Sequence, residues 1–541
     1  MTTERTTSPL ALLDSADAAR INQAMRQGAT RRDLLGMLTG AGMAVATAGG
    51  ILGAAASAQA QTPRMGGRIR VSGTSTSTAD TLDPAKQSLS TDYARCNMFY
   101  NGLTSLDASL TPQPALAESW GNQGAKVWTF KLRQGVTFHD GKTLNADDVV
   151  FSLARHKDTA TASRARSLAM QMSEIVATGP NEVRITLEAP NADLPVVLGT
   201  FHFHIVKAGT TDFTAGIGTG PFRCREFTPG VRSIAVRNPN YWQNSKPYLD
   251  EVEFIGIPDE QARVNALLSG DVQMIAGVDA RSVRRISQTP GYVVHETRTG
   301  YYTNLVMRLD MAPASNPDFV MAVKLMTDRA QIRSAVLRGH GEIGNDQPID
   351  PTNRFFFPGL PQRPLDLDRA KFHFQKSGVG NTALPVVCSP AAPNSIDMAQ
   401  LLQQSGQKIG MNLEVRRVPA DGYWSNHWFK HPLGYGAINP RPSADILFTL
   451  FFKSDATWNE SGWKNPQFDQ LLVAARTETD EAKRKQMYAD MQVMVHEQSG
   501  IGIPVFQNLL DGHSSKLKGL GSIPLGSLMG YDFAQHVWLE G

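Results

Sequence analysis

The sequence predicts an α/β fold with more than one domain, and two observations lead to this prediction. First, about 480 residues remain once an N-terminal leader is set aside, which is more than one compact hydrophobic core usually supports. Second, two apolar segments, 384–388 and 413–417, flank an amphipathic pattern from about Ser395 to Ile409 that stops at Gly410. Strand, helix and strand in this order predict a parallel pair with a crossover helix.

The leader is predicted from residues 1–60. Paired arginines, Arg31 and Arg32, precede an apolar stretch diluted by many glycines and alanines, and the stretch ends in Ala58-Gln59-Ala60. A stretch of this length could instead be a membrane anchor. The glycines, the paired arginines and the small-x-small site favour a twin-arginine signal peptide cleaved after about Ala60. The sequence therefore predicts export of the folded chain to the periplasm, without a lipid anchor because no cysteine follows the cleavage site.

The composition is that of an ordinary globular protein. The formal net charge is +3, charged residues make up 19% and hydrophobic residues 41%, so no electrostatic feature favours nucleic acid. Cys96, Cys224 and Cys388 lie far apart in the chain, and any one pair could form a disulfide in an oxidising compartment. The absence of a Cys-x-x-Cys motif excludes thioredoxin-like chemistry and the usual zinc ligand sets.

The remaining elements follow from periodicity and capping residues. Asn145 is predicted to cap a helix that contains Val149 and Leu153, and Asn465-Pro466 to begin a helix through Ala475. The other predicted elements are strands at 68–72, 127–132, 182–187 and 252–257, and helices at 261–268 and 481–497, the last with Met487, Met491, Met494 and Val495 inward.

A series of short motifs occurs in a fixed order along the chain. Gly135-Val-Thr-Phe-His-Asp-Gly141 is followed by Ala146-Asp-Asp-Val-Val-Phe151, and later motifs include Gly218-Thr-Gly-Pro-Phe222, Asn238-Pro-Asn-Tyr-Trp242 and Asn465-Pro-Gln-Phe-Asp469. Each is weak alone, but the ordered set closely resembles the family-5 extracellular solute-binding proteins, the peptide, oligopeptide and nickel binders of ABC importers.

The resemblance implies a periplasmic-binding-protein fold of type II, with two α/β lobes, a hinge and a β-rich extra domain, as in cluster C. Lobe I is expected at 61–106, 210–305 and 500–541, the inserted domain at 107–209, and lobe II at 306–499. The chain would cross between the lobes near Met307 and near Ile503, and closure there would bury a ligand between them.

The resemblance also points to a binding segment, 434–445. In peptide binders of this family an aspartate here holds the ammonium group of the ligand. In this chain the position falls at or next to Asn439, Arg441 adds a positive charge, and Asp445 could supply a carboxylate from a shifted position. Because an amide cannot replace a carboxylate as partner of a buried ammonium, a ligand with an anionic group facing Arg441 becomes more plausible. A structural salt bridge is the alternative role for Arg441.

Aromatic residues are the other binding candidates. Tyr301, Tyr302 and Asn304 precede the first predicted crossing, and Trp424 and Trp428 lie four residues apart, on one face if the stretch is helical. Core packing is the alternative for all of these rings. The Ser/Thr-rich loop 72–80 is either a ligand contact or an ordinary solvated loop.

Metal binding and catalysis are the alternatives from other classes. His202 and His204 are predicted on one side of a strand, and His427 and His431 are spaced i, i+4, but neither pair has a third ligand in view. No His-Glu-x-x-His or Gly-x-Ser-x-Gly motif occurs, so an enzyme such as a periplasmic hydrolase is not favoured.

The expected function is that of the ligand-capturing component of an ABC importer, for peptides or peptide-like molecules. The alternatives are a non-peptide ligand, either an anionic conjugate or a nickel–histidine chelate, and a sensor or chaperone-like binder that hands its ligand to something other than a transporter. The expected partners are the membrane permease and, during export, the twin-arginine translocase. We expect a monomer that binds no nucleic acid and needs no cofactor.

Overall fold

The computed structural model describes residues 62–540. The predicted signal peptide and its cleavage site lie outside the described residues. Within them, no helix is both long enough and apolar enough to cross a membrane.

Strands of the described residues are numbered in chain order. They are β1 (Arg68–Gly73), β2 (Thr104–Leu106), β3 (Pro112–Pro114), β4 (Ala117–Gln123), β5 (Val127–Leu132), β6 (Met172–Gly179), β7 (Glu182–Leu187), β8 (Phe222–Thr228), β9 (Arg232–Arg237), β10 (Glu251–Gly256), β11 (Met274–Ile275), β12 (Tyr292–Met307), β13 (Gly341–Ile343), β14 (Leu384–Cys388), β15 (Leu413–Arg417), β16 (Leu433–Ile438), β17 (Ile501–Gly502), β18 (Val505–Ser514), β19 (Leu517–Lys518) and β20 (Trp538–Leu539).

The longer helices are numbered in the same way. They are α1 (Ser90–Phe99), α2 (Ala146–Ala154), α3 (Glu260–Leu268), α4 (Pro317–Met326), α5 (Leu367–Ser377), α6 (Ser395–Ile409), α7 (Ala444–Phe451), α8 (Pro466–Thr477) and α9 (Glu481–Gln498). Short helical segments lie at Thr159–Thr161, Arg166–Ala169, Leu194–Leu198, Phe201–Phe203, Val283–Ser287, Arg329–Gln331, Ile332–Val336, Tyr423–Asn426 and Phe533–Gln535.

One hydrogen-bonded network of strands runs through both predicted lobes. Its order is β15-β14-β16-β12-β18-β11-β1-β10-β9-β8, with β13 added on β18 and β17 on β12. The long strand β12 joins the two parts: its residues up to Thr297 pair with β18, whereas Tyr302 to Met307 pair with β16. The register shifts between Thr297 and Tyr301, so the strand is irregular where it passes from one part to the other.

The two predicted crossing points lie on or beside these connecting strands, but β12 already pairs with β16 from Tyr302 onwards, before the predicted crossing near Met307. Met307 is the last residue of β12, and Ile503 lies between β17 and β18. A two-lobed arrangement with a hinge is therefore built on strands that belong to both parts. The lobe boundaries themselves remain predictions.

The predicted inserted domain contains a sheet of its own. Strands β4, β5, β7 and β6 form a four-stranded antiparallel sheet in that order. Helix α2 packs beside it, and Asn145 caps this helix as predicted, its side chain accepting a hydrogen bond from the Asp148 amide at 3.2 Å. The two elements share a buried core that includes Phe130, Val149, Leu153 and Ile185.

Lobe II contains the predicted β-α-β unit with the predicted bounds. Strands β14 and β15 are parallel, with Val386 opposite Val415, and α6 connects them. The helix ends where Gly410 adopts a left-handed φ of +81°, a conformation that suits glycine best. The strands at 127–132 and 182–187 are likewise confirmed, and α9 confirms the methionine-containing helix, with Met491 and Val495 fully buried.

Glycines let lobe I pack closely. A Cβ atom at Gly218 or Gly220 would overlap the backbone of Phe99 at the end of α1. The motif that contains these glycines therefore acts as scaffold, as the sequence indicates. All three cysteines are free in the structure, Cys96 and Cys388 being buried.

Candidate ligand-binding site

Arg441 lies in the loop 439–443, between strand β16 and helix α7. Its guanidinium carbon is 5.6 Å from the ring centroid of Phe451, and its Nε atom is buried without a hydrogen-bond partner. Burial lowers the pKa of Arg441. Among residues 62–540 no carboxylate forms an ion pair with this side chain, so the salt bridge considered as its alternative role is absent there. Asn439, two residues earlier, is exposed.

An aromatic cluster built from lobe I and the inserted domain lies near Arg441. Tyr93 on α1 stacks on Phe201 with ring centroids 4.0 Å apart and contacts Tyr531 at 5.3 Å. Burial raises the pKa of Tyr93, and the nearby positive charge of Arg441 opposes this rise. The guanidinium therefore lies close to the boundary between the two lobes, facing groups that can pack against a ligand.

The predicted residues of β12 divide between its two faces. Tyr302 is buried and packs edge-to-face on Phe506 with ring centroids 5.9 Å apart, on the side of Arg441. Tyr301 points to the opposite face because side chains alternate along a strand. Burial raises the pKa of Tyr301 to about 12, and Thr303 on the same face opposes this rise.

Asn304 and Trp428 meet at a buried carboxylate that the sequence analysis did not identify. Glu460 accepts a hydrogen bond from Asn304 Nδ2 at 2.7 Å and from Trp428 Nε1 at 2.5 Å. It is 3% exposed, and burial raises its pKa to about 7. The Oδ1 atom of Asn304 is buried without a partner. Glu460 belongs to an irregular segment before Trp463, where neither spacing nor a motif marks a buried acid.

Glycine at position 436 makes room for this carboxylate. A Cβ atom at Gly436 would overlap Glu460 Oε1 and approach Asn304 Oδ1 to 2.9 Å. The buried acid therefore depends on close approach to the backbone of β16.

Aromatic rings extend from Arg441 across the surface of lobe II. Phe451 stacks on Trp458 at 5.6 Å, Trp458 lies 6.4 Å from Trp428, and Trp428 meets Trp424 edge-to-face at 5.4 Å. Trp424 and Trp458 are 42% and 40% exposed. The short helix ends at Asn426, so Trp424 and Trp428 meet by ring contact and not as one helical face.

Asp445 lies apart from the Arg441 side chain although it is close in sequence. It is 4% exposed and forms an ion pair with Arg476 at 3.0 Å. Burial raises its pKa to about 6, with the charge of Arg476 acting in the opposite direction. An acid already committed to this partner is poorly placed to hold a ligand ammonium group.

The hydroxyl-rich loop 72–80 is bound mainly to its own lobe. Thr74 and Ser90 share a hydrogen bond at 3.2 Å, as do Ser75 and Thr91 at 3.3 Å. The Oγ1 atom of Thr76 is buried without a partner.

A cavity of about 820 Å³ lies between the lobes on the other face of the connecting strands. Residues 278–281 line it from lobe I and residues 389–397 from lobe II, with Gln507 of β18 between them. Gln507 bonds to Asn394 at 2.8 Å and to Thr303 at 2.9 Å. Because Thr303 and Tyr302 are consecutive strand residues, this cavity and Arg441 lie on opposite faces.

Neither histidine pair forms a metal-binding cluster. His202 lies within a 3₁₀ turn at Phe201–Phe203 and His204 directly follows it, so the predicted strand is wrong here. Burial lowers the pKa of these histidines to about 4 and about 3. His427 Nδ1 lies 3.1 Å from His431 Nε2. Over the described part of the chain, no group of three or more potential ligands among His, Cys, Asp and Glu comes together.

The model of the bacterial extracellular solute-binding proteins, family 5, matches residues 111–460. The chain belongs to this family. It is thus a substrate-binding protein of the kind that serves ABC importers, with a type II two-lobed fold.

Relatives of this family bind different ligands. The chain is 26% identical to the heme-binding protein A of Haemophilus influenzae over 83% of its own length and 88% of that protein. It is also 26% identical to the dipeptide-binding protein of Escherichia coli, over 79% and 87% of the two chains. In fold it is similar to AgaA of A. tumefaciens R10 in complex with agropinic acid, with a TM-score of 0.70, 23% identity and coverage of 88% and 99%.

Proposed function

We propose that this chain captures a peptide or peptide-like small molecule that carries an anionic group, and that Arg441 binds that group when the lobes close. The observation that carries the proposal is the Arg441 guanidinium, which has a buried Nε without a partner and no ion pair within residues 62–540. A partly buried cation without a counter-charge is costly, and a ligand carboxylate or phosphate would satisfy it.

The aromatic rings beside Arg441 supply the second half of the proposed site. Phe451 and Trp458 on lobe II, and Tyr93 on lobe I, offer planar apolar surfaces to the body of the ligand. Such surfaces accept varied side chains without specific hydrogen bonds, which suits a peptide-like ligand. Tyr302, Trp424 and Trp428 support these rings, whereas Asp445 serves as scaffold through Arg476.

The proposal includes the route of the protein and its partners. The chain is exported through the twin-arginine pathway, cleaved after about Ala60, and acts as a periplasmic monomer that delivers its ligand to a membrane permease. It binds and releases the ligand without covalent chemistry. Replacing Arg31 and Arg32 by lysine should leave precursor in the cytoplasm, and normal maturation of that variant would contradict the export route.

The test is thermal unfolding of the purified protein with a ligand panel of di-, tri- and longer peptides, glutathione, acidic opine-like conjugates and nickel–histidine. A ligand at about a thousand times its Kd should stabilise the fold by about 4 kcal/mol, which raises Tm by several degrees. We expect the largest shifts with the anionic compounds. Shifts with neutral peptides alone, or with nickel–histidine alone, would contradict the role of Arg441.

A further inference from the structure

Asp193 of the inserted domain is buried among residues of lobe II. Its Oδ1 atom accepts hydrogen bonds from Arg484 at 2.7 Å and from Arg354 at 3.1 Å, and its Oδ2 atom accepts one from the Ser443 hydroxyl. Asp193 is completely buried. The carboxylate therefore lies at the interface between the inserted domain and lobe II.

Apolar contact accompanies this polar cluster. Ile446 of α7 packs into the core of the inserted domain, and the Ala192 amide donates a hydrogen bond to the Arg476 carbonyl at 2.8 Å. Arg354 and two short segments of lobe II, at Ser443 to Ile446 and at Arg476 to Arg484, thus provide these contacts.

The inserted domain is also attached to lobe I, at sites away from Asp193. Arg155 forms a two-pronged ion pair with Asp83, with both N···O distances 2.8 Å. The guanidinium of Arg133 lies 4.8 Å from the ring centroid of Trp242, and the Arg164 amide donates to the Ala85 carbonyl at 2.8 Å. An inserted domain that moves with lobe I must withdraw Asp193 from its partners when the lobes separate.

Ser443 connects this cluster to the proposed ligand site. It is the last residue of the loop 439–443 and the cap of α7, where its Oγ accepts a hydrogen bond from the Asp445 amide at 3.1 Å. The same hydroxyl donates to Asp193. The inserted domain therefore holds one end of the loop that carries Arg441.

We propose that Asp193 is a positioning residue: it clamps the Arg441 loop from the inserted domain and stabilises the closed arrangement of the lobes. This inference rests on the proposed function only in that the loop is taken to bind the ligand. The contacts of Asp193 with lobe II do not depend on that function. Two guanidinium groups and one hydroxyl satisfy the buried carboxylate fully. When the lobes are separated, water would solvate the Asp193 carboxylate, the two guanidinium groups and the Ser443 hydroxyl. The contact therefore stabilises the closed arrangement only while Arg484, Arg354 and Ser443 are present.

The electrostatics of the cluster agree with this role. Burial alone would raise the pKa of Asp193, but the charges of Arg484 and Arg354 outweigh burial and lower it. The carboxylate is therefore ionised at every pH at which the protein is expected to work, and the clamp does not depend on a proton.

The experiment compares Asp193→Asn with Asp346→Asn in ligand-free protein, by hydrogen exchange with mass spectrometry. Asp346 is a control because it is also fully buried with two arginines of its own lobe, Arg329 at 2.5 Å and Arg363 at 3.0 Å. Its other oxygen accepts a hydrogen bond from the Ile503 amide at 3.1 Å, a contact that involves neither the inserted domain nor residues 439–445. We expect about tenfold faster exchange of the backbone amides 439–445 in Asp193→Asn and wild-type exchange there in Asp346→Asn. Wild-type exchange of this segment in Asp193→Asn would overturn the inference.

A second variant and a distance measurement distinguish loss of the contact between Asp193 and the loop from a wider separation of the inserted domain and lobe II. Spin labels on the exposed Lys131 and Lys483 report the separation between the inserted domain and lobe II. Ser443→Ala should speed exchange of the loop and leave this separation unchanged, whereas Asp193→Asn should broaden it toward longer distances. Because neither measurement uses a ligand, failure of the ligand panel leaves both results interpretable. Unchanged loop exchange in Ser443→Ala would contradict the link to the loop.

Discussion

Asp445 is a buried charge and Arg441 is a partly buried charge four residues earlier in the same segment, yet their surroundings differ completely. Asp445 has Arg476 at 3.0 Å and a place in the interface with the inserted domain. Arg441 has an aromatic ring beside it and a buried Nε without a partner. Folding tolerates a buried charge cheaply only when a counter-charge is present, so the paired residue fits a scaffold role and the unpaired one fits a ligand contact.

The largest expected effect comes from removing the unpaired charge. Arg441→Met keeps most of the apolar volume, and we expect it to weaken binding of an anionic ligand more than tenfold, up to about a thousandfold if the anionic group is fully buried. Stability should stay the same or rise slightly, because a costly buried charge disappears. Isothermal titration and thermal unfolding measure both quantities. Arg369→Ala, on the exposed face of α5, is the control, and unaltered affinity in Arg441→Met would reduce Arg441 to a structural residue.

Removing the carboxylate of Asp445, which is paired with Arg476, should lower stability and leave ligand affinity nearly unchanged. Asp445→Ala leaves the Arg476 guanidinium without its carboxylate, and we expect the free energy of unfolding to fall by about 3 kcal/mol. The intrinsic affinity for an anionic ligand should change less than threefold in variants that remain folded. Chemical denaturation at pH 7 and ligand titration test this pair of expectations. A binding loss as large as that of Arg441→Met would show that the two charges act together.

Glu460 gives a third case, a buried acid with hydrogen bonds but no cation in the described chain. Its pKa is raised from 4.5 to about 7, so the folded state holds a proton that the unfolded state has released. Stability should therefore fall as the pH rises from about 4.5 to about 7, by about 2 to 3 kcal/mol from this group.

Glu460→Gln tests the assignment of this pH dependence. The Gln oxygen can accept from Trp428, and its NH2 group can donate to Asn304 Oδ1 once the Asn304 amide turns over, because Nδ2 of Asn304 faces this position in the wild type. We expect the variant to be more stable than the wild type at pH 8 and similar at pH 4.5. Denaturant unfolding at the two pH values provides the comparison. An identical pH slope in the two proteins would remove Glu460 from the explanation.

The smallest effect is expected at Asn439. Asn439→Asp introduces an acid at or next to the position where the resemblance implies one in peptide binders, but the residue is exposed and its charge is screened. We expect affinity for an anionic ligand to fall by less than about fivefold. A gain of affinity for neutral peptides in the same titration would instead favour an ammonium contact at this position.

Much of the fold was accessible from the sequence because local signals and the tertiary structure agree. Asn145, Asn465 and Gly410 mark helix ends that are present in the structure, and the β-α-β unit of lobe II has the predicted bounds. The histidine-containing segment at 201–205 misled because alternation over five residues does not distinguish a strand from a short buried turn.

The candidate site was less accessible because it depends on contacts between distant segments. The sequence shows that Arg441 is charged, but it does not show that this side chain lacks an ion-pair partner. Asp445 was predicted as a possible ligand contact because its partner, Arg476, is 31 residues away in the chain. Glu460 lies 156 residues from Asn304 and Asp193 lies 291 from Arg484, so no local pattern could reveal either contact. The fold determines which buried polar residues meet when they are far apart in sequence, and the spacing of residues along the chain does not reveal them.

The glycine at position 436 also constrains how relatives of this protein can diverge. A side chain there and an acid at 460 compete for the same space, so the two positions cannot vary independently. Homologous sequences should carry a glycine at the first position wherever the second is acidic, and a larger residue only where the acid has been lost. An alignment that pairs a bulky residue at the first position with glutamate at the second would identify a lineage in which the neighbouring strand has moved.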